Sequence, residues 1–194
     1  MEVRIQIQQS EGKKIYSKAI YCDCMQFPAE CVFEAGSVFG KNCEFGEGCQ
    51  FGEGCSFGKH CSFGPNSVFG ENCKFDLRCS FLKNSIFGAN CIFNRKAEFY
   101  ESCGFGANCI FGKGCTFETG CAFGEKTYFE SGCSFWGPCI SEFGAFQKIE
   151  FMQGYSSEKT TIYFFYTEEN GICISCVEFA GPVQGFFKKK FKGR

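Results

Sequence analysis

The chain has 194 residues and a formal net charge of −1, and 44% of its residues are apolar. This balance excludes a disordered chain, and the low bulk charge argues against a nucleic-acid partner. No apolar run reaches the ~20 residues that span a bilayer, and the N-terminus lacks the apolar core of a signal peptide. We therefore expect no membrane partner and a reducing, cytoplasmic location. Two counts are unusual, 28 Phe and 18 Cys.

Residues 1–20 predict a β-structured cap at the N-terminus. Val3, Ile5 and Ile7 alternate with polar residues, which is typical of a strand with one buried face. The segment SEGKK then predicts a turn into IYSKAIY, so the two segments would form a hairpin. We expect this hairpin to cover the first coil of the repeat that follows it, because a stacked repeat must protect its open end.

Residues 21–140 predict a solenoid, because Phe recurs at every sixth position from Phe27 to Phe135 without interruption. From Phe33 onward a small residue, usually Cys, stands two positions before each Phe, and Gly often follows. A period of six does not fit an α-helix, but it places Cys and Phe on the same side of a short strand. In 12 of 18 repeats Gly or Asn stands three residues after Phe, where a sharp turn needs positive φ. Strands and turns of constant length predict stacked coils.

In a shifted phase, motifs such as FGEGCQ resemble the hexapeptide repeat of left-handed parallel β-helices. That family has an aliphatic residue where this sequence has Phe, and Ser, Thr, Ala or Val where it has Cys. The resemblance covers residues 19–140 and implies triangular coils of 18 residues, in which residues 18 apart stack. We therefore expect an all-β fold: a left-handed parallel β-helix with a Phe and Cys core, an N-terminal cap and a C-terminal β-hairpin module.

Stacking would bring cysteines of neighbouring coils to about 5 Å, which lies inside the range for a disulfide. The Cβ vectors of stacked residues run parallel rather than converge, so a ladder of disulfides would be strained. We interpret the cysteines as buried free thiols that pack beside Phe, with metal or redox storage as the alternative. Because a metal site needs convergent ligands, we predict neither a metal nor a cofactor.

The outward residue between Cys and Phe falls on one of three faces when it is read at intervals of one coil. One face is apolar at Ile92, Ile110 and Tyr128, a second is apolar at Val68 and Ile86, and the third is polar. Contiguous exposed apolar residues mark contact surfaces. The occupant would be the chain's own C-terminal segment, a second copy or an unknown protein partner. The family resemblance implies a homo-oligomer, and we expect a trimer or a dimer.

The resemblance also implies an acyltransferase that uses acetyl-CoA and a histidine general base. His60 is the one histidine of the chain, and it occupies a turn position that Gly or Asn holds elsewhere. Because His is one of the residues found at positive φ, we interpret His60 as a corner residue, with catalysis as the alternative. The unbroken repeat leaves no room for the extruded loop that shapes the acceptor site of such enzymes, so we expect a non-catalytic structural or interaction protein.

A small-molecule binding or sequestering module is a further alternative. The resemblance implies ligand sites in crevices between subunits, and corner residues are the side chains that would line such a crevice. The candidates are Asn90, Arg95, Tyr100 and Asn108.

Residues 141–194 predict a separate β-rich module that ends in a basic tail. KTTIYFFYT and GICISCVEF read as two strands of an antiparallel hairpin, joined by the turn EEN. The segments Gly154–Ser157 and Cys176–Phe179 resemble a tail module of uncharacterised phage-encoded hexapeptide proteins, which implies a phage-encoded protein in the host cytoplasm and no known activity. Cys173 and Cys176 would face opposite sides of a strand, so we predict no redox or zinc site there.

Overall fold

The computed structural model describes residues 7–10, 13–130, 132–137 and 139–141, together with the backbone of strands at 144–153, 161–167, 171–176 and 179–182. All regular elements in these residues are strands. The prediction of an all-β fold is therefore confirmed. Over the same residues, no helix is long and apolar enough to cross a membrane.

Three sheets run along the length of the molecule, and most of their strands are two residues long. Sheet 1 comprises Ile7–Ser10, Lys13–Tyr16, Cys31–Phe33, Gln50–Phe51, Val68–Phe69, Ile86–Phe87, Gly104–Phe105, Ala122–Phe123, Cys139–Ser141, Gly144–Gln153, Thr161–Thr167, Gly171–Cys176 and Phe179–Pro182. Sheet 2 comprises Ile20–Tyr21, Val38–Phe39, Ser56–Phe57, Lys74–Phe75, Ile92–Phe93, Ile110–Phe111 and Tyr128–Phe129. Sheet 3 comprises Gln26–Phe27, Glu44–Phe45, Ser62–Phe63, Ser80–Phe81, Glu98–Phe99, Thr116–Phe117 and Ser134–Phe135.

Successive coils stack with an offset of 18 residues. In sheet 2, for example, Lys74 lies opposite Ile92, and Ile92 lies opposite Ile110. The chain passes through the three sheets in turn, so each coil has three faces and three corners. We call the corners edge 1, edge 2 and edge 3 after the sheet that each one follows. The predicted solenoid of 18-residue coils with a Phe and Cys interior is confirmed.

The core consists of three columns of Phe rings. Within a column the rings stack in parallel, as in Phe57 and Phe75, whose centroids are 4.9 Å apart with an interplanar angle of 2°. Between columns they meet edge to face, as in Phe57 and Phe63, whose centroids are 5.0 Å apart at 90°. Aromatic pairs of this kind contribute about 0.5–1.5 kcal/mol beyond the burial of their area. The columns therefore fix both the rise between coils and the triangular cross-section.

The corners depend on left-handed backbone conformations. Every sixth residue from Cys24 to Gly132 has a φ between 55° and 78°. Asn is frequent at these positions because its short polar side chain tolerates this region better than most. His60 is one of them, with a φ of 60°, and its backbone N–H donates to the Leu77 carbonyl of the next coil at 2.9 Å. The prediction that His60 turns a corner is confirmed.

Antiparallel strands extend sheet 1 at both ends of the solenoid. Ile7–Ser10 and Lys13–Tyr16 form the predicted N-terminal hairpin, and its second strand pairs in parallel with Cys31–Phe33. At the other end, Thr161–Thr167 and Gly171–Cys176 form the predicted C-terminal hairpin. Both additions hydrogen-bond to edges of the sheet that would otherwise stay open.

Several predicted features lie outside the described residues. These are residues 1–6 of the cap, the phage-like motif segments at 154–157 and 177–178, and the basic tail within 183–194. Cys173 and Cys176 are described by their backbone alone. The proposed boundaries of the three domains stay predictions.

Candidate functional site

The thiols of the core are buried and occupied by hydrogen bonds. Most core thiols donate a hydrogen bond to a backbone carbonyl of the preceding coil. For example, Cys79 Sγ donates to the Gly58 oxygen at 3.4 Å. Burial raises the pKa of the Cys43 thiol to about 11 and that of the Cys49 thiol to about 12. Protonated, buried thiols are poor nucleophiles and poor metal ligands. The cysteines from Cys22 to Cys139 are all free, and of these Cys22 and Cys24 are exposed.

The first outward feature is the apolar strip on sheet 2, formed by Ile92, Ile110 and Tyr128. The three residues stand opposite one another on adjacent coils, as the sequence indicated. Ile110 is 40% exposed and Tyr128 is 39% exposed, whereas Ile92 is half-buried. We call this surface the isoleucine strip. Lys74 lies next to it on the preceding coil, so the strip occupies the C-terminal half of the sheet.

A second apolar surface lies on sheet 1, where Val68 and Ile86 stand opposite each other. Beyond them, Gly104 and Ala122 leave a shallow groove that ends at Ile140, which is 52% exposed. Ile140 lies inside the predicted solenoid of residues 21–140, but it was not among the predicted apolar outward residues.

The regular Phe ends at Phe135, but the stacked coils continue for one more strand. Cys139 is fully buried, and Ile140 stands opposite Ala122, so one more strand follows the same register. The signal was present in the sequence, since Cys139 stands six residues after Cys133. The repeat loses its Phe only at Ser141.

The four predicted crevice residues lie on three different edges. Asn90 and Asn108 lie on edge 1 and line one surface groove with Asn72, Ile92 and Ile110. Arg95 lies on edge 2, because it follows the strand Ile92–Phe93, and Tyr100 lies on edge 3, because it follows Glu98–Phe99. A single chain therefore brings together Asn90, Asn108 and part of the isoleucine strip, but not the other two residues.

His60 is exposed on edge 2, a convex corner of the solenoid. Adjacent coils place Asn42 and Arg78 at the equivalent corner positions on either side of it. Within the described residues, no carboxylate hydrogen-bonds to the His60 imidazole or forms an ion pair with it. A catalytic histidine usually needs such a group to orient it, so the geometry offers little support for general base catalysis.

Comparisons with known proteins add no identification. A scan of protein-family models found no match to this chain, and searches of curated proteins and of solved structures found none either. The surface of this molecule is therefore the basis for the function proposed below.

Proposed function

We propose that the protein is a non-catalytic structural and interaction protein, a rigid solenoid that self-associates through the isoleucine strip. The observation that carries this proposal is the strip itself, in which Ile92, Ile110 and Tyr128 are stacked on adjacent coils and remain partly exposed. Burial of apolar area is worth roughly 25 cal/mol per Å², so covering the strip is favourable. Sheet 3 presents mainly Ser, Thr, Gln and Glu at the equivalent positions and offers no comparable gain.

The interior supports a scaffold role because it makes the surface rigid. Stacked rings fix the rise, and backbone hydrogen bonds join the corners of neighbouring coils from Cys24 to Glu125, as between Lys96 N and the Lys113 oxygen at 3.0 Å. A preformed surface loses little conformational entropy when a partner covers it. The free buried thiols accord with a reducing cytoplasmic location, which we include in the proposal together with the phage-encoded origin.

A second candidate is the binding of a small molecule at the groove beside the strip. Asn72, Asn90 and Asn108 present amide groups along edge 1, next to the apolar side chains of Ile92 and Ile110. Apolar walls with a few polar groups are typical of ligand sites. Because the groove is open on a single chain, a second copy on the strip would have to enclose the ligand.

The test compares Ile110→Lys with Thr116→Lys by native mass spectrometry and light scattering. Both substitutions place a cation at the outward position before a core Phe, but Thr116 lies on sheet 3 opposite Glu98. We expect a dimer or trimer for the unmodified chain and for Thr116→Lys, and at least about tenfold weaker association for Ile110→Lys.

Circular dichroism and thermal unfolding provide the control for folding of both variants. A monomer at every concentration of the unmodified chain would contradict the proposal. Equal association of the two variants would also contradict it, since self-association would then not depend on the strip. A mass excess the size of a small molecule, lost in an Asn90→Gly variant that keeps the positive φ of this corner, would favour the second candidate.

A further inference from the structure

The charges of the solenoid are sorted by edge. Edge 2 is basic, whereas edges 1 and 3 carry most of the carboxylates between residues 27 and 130. The cations of edge 2, all exposed, are Lys41, Lys59, Arg78, Arg95, Lys96 and Lys113. The carboxylates of the other two edges are Glu30, Glu34, Glu47, Glu53, Glu71, Glu101, Glu118 and Glu125, accompanied by Lys83 and Lys126. We call the six cations of edge 2 the basic ridge.

Backbone hydrogen bonds hold the ridge in a straight line across five adjacent coils. The four bonds are Asn42 N to Lys59 O at 2.8 Å, His60 N to Leu77 O at 2.9 Å, Arg78 N to Arg95 O at 3.0 Å, and Lys96 N to Lys113 O at 3.0 Å. The rise between these coils equals the ring spacing of the core, 4.9 Å between Phe57 and Phe75 and 4.8 Å between Phe75 and Phe93. The ridge is therefore roughly 20 Å long, with at least one cation at each step.

Few carboxylates neutralise the ridge. Asp23 pairs with Lys41 at one end, with 3.6 Å between its Oδ2 and the lysine Nζ. Glu130 lies at the other end, where it accepts from the backbone N–H of Lys113 at 3.0 Å. Asp76 lies in the middle, and its Oδ1 accepts from the backbone of Leu77 at 2.8 Å. In the part of the chain that the structure describes, Lys59, Arg78, Arg95 and Lys96 have no ion pair.

We propose that the basic ridge binds the phosphate backbone of single-stranded nucleic acid without sequence preference. A row of cations gains affinity for a polyanion mainly because counterions are released from the phosphates. The alternative occupant is an acidic edge of a second copy, which has the same spacing of charges but would gain less binding free energy. Exposed ion pairs contribute about 0–1 kcal/mol each, and two convex edges bury little apolar area to offset the cost of association.

A single strand fits the ridge better than a duplex does. Over roughly 20 Å a strand of B-DNA advances by about six nucleotides, which is more than half a turn, so its phosphates wind away from a straight row. A flexible single strand can keep its phosphates along the row. The expectation that nucleic acid is not a partner depended on the total charge of −1, which conceals a basic edge between two acidic ones.

The test measures fluorescence anisotropy of a labelled oligothymidylate of about 20 nucleotides, titrated with the full chain at about 20 to 200 mM salt. The matched variants are Lys96→Asn on the ridge and Lys126→Asn on edge 1, which have φ values of 59° and 55°. Asn tolerates this backbone region, so neither change should strain the corner. The basic tail is the same in both variants and cannot cause a difference between them.

We expect the logarithm of the binding constant to fall linearly with the logarithm of the salt concentration, with a slope of roughly 0.7 per phosphate contacted. Lys96→Asn should lower that slope by about 0.7 and weaken binding about eightfold at 50 mM salt, and Lys126→Asn should change neither. No binding at the lowest salt would overturn the proposal, as would equal losses in the two variants. Binding of inorganic polyphosphate without binding of the oligonucleotide would overturn it too.

The oligomeric state is measured on the same samples, which separates this inference from the proposed function. If Lys96→Asn dissociates the oligomer and the oligonucleotide does not bind, the ridge is a contact between subunits. The inference about nucleic acid then fails, while self-association stands. If Ile110→Lys abolishes association and leaves the oligonucleotide bound, both proposals are supported independently.

Discussion

The inside and the outside of this solenoid follow different periods. Inside, one hexad is much like the next, with Phe and a small residue buried at every sixth position. Outside, residues match only at intervals of 18, and each face and edge has its own character, apolar at Ile110, polar at Thr116 and basic at Arg95. The period of six therefore specifies the fold, and the period of 18 carries the surfaces through which the protein acts. This difference predicts that substitutions of inward residues change stability strongly and that substitutions of outward residues change it little.

The largest expected effect is the loss of one core ring. Phe75 is 1% exposed and stacks on Phe57 and Phe93, and the outward residue beside it is Lys74. Phe75→Ala should lower the free energy of unfolding by about 3–5 kcal/mol, because it leaves a cavity in the column. Lys74→Ala should change it by less than about 0.5 kcal/mol. Denaturant unfolding measures both free energies. Similar losses for the two variants would contradict the difference between the interior and the surface.

Two glycines should respond oppositely to alanine. A Cβ at Gly64 would lie 2.6 Å from the backbone of Gly46, one coil below, whereas a Cβ at Gly104 would meet no atom within 4 Å. Gly64→Ala should therefore destabilise the fold by about 1–3 kcal/mol. Gly104→Ala should stabilise it by up to about 1 kcal/mol, because alanine has less freedom to lose. Thermal unfolding of both variants measures these effects. A destabilised Gly104→Ala would show that another group already covers this side of sheet 1, because a Cβ there meets no atom of the chain within 4 Å.

The buried thiols predict a loss of stability in alkali. Burial raises the pKa of the Cys49 thiol from its usual 9.0 to about 12. Below pH 9 the thiol is protonated in both states and its stabilising effect is complete. As pH rises from 9 towards 12, only the unfolded chain ionises, so each such thiol lowers the free energy of unfolding by about 1.4 kcal/mol per pH unit.

Denaturant unfolding at several pH values measures this slope. Cys49→Ser should make it shallower by one thiol, because a serine hydroxyl does not ionise in this range. Ser67 shows that the position accepts serine, since its Oγ donates to the Gly64 carbonyl at 2.7 Å. An unchanged slope in Cys49→Ser would mean that Cys49 ionises as easily in the folded state as in the unfolded one.

The fold could be predicted from the sequence because the interior repeats. Phe at every sixth residue predicts a buried column of rings. The turn position requires a positive φ whichever residue occupies it, as at His60. The left-handed sense stays a prediction, since it came from the family resemblance. The strand Cys139–Ser141 lies at the predicted end of the solenoid, and its burial depends on Cys139 because Ser141 stands where the other repeats have Phe.

The surfaces were harder to predict, for a physical reason. Corner residues of all three edges look alike in the hexad, so Asn90, Arg95 and Tyr100 were grouped although they lie on different edges. A surface forms only where residues 18 apart agree in chemistry. The isoleucine strip was found because it was read at that interval, and the basic ridge was missed because charge was summed over the whole chain.

The most direct test separates the two periods by deletion. Removing Phe69–Lys74 takes out one hexad, so the order Cys-x-Phe continues but every later residue moves to the next face. Removing Phe57–Lys74 takes out one whole coil and leaves the faces aligned. In both variants, alkylation of the native protein followed by mass spectrometry reports whether the buried cysteines from Cys79 to Cys121 are still protected.

We expect these cysteines to stay unmodified in both deletions, while the exposed Cys22 and Cys24 react. Protection in the six-residue deletion would show that the interior period alone specifies the fold. Reaction of the later cysteines in that deletion, with protection in the coil deletion, would contradict the account, because the fold would then depend on the alignment of the outer faces.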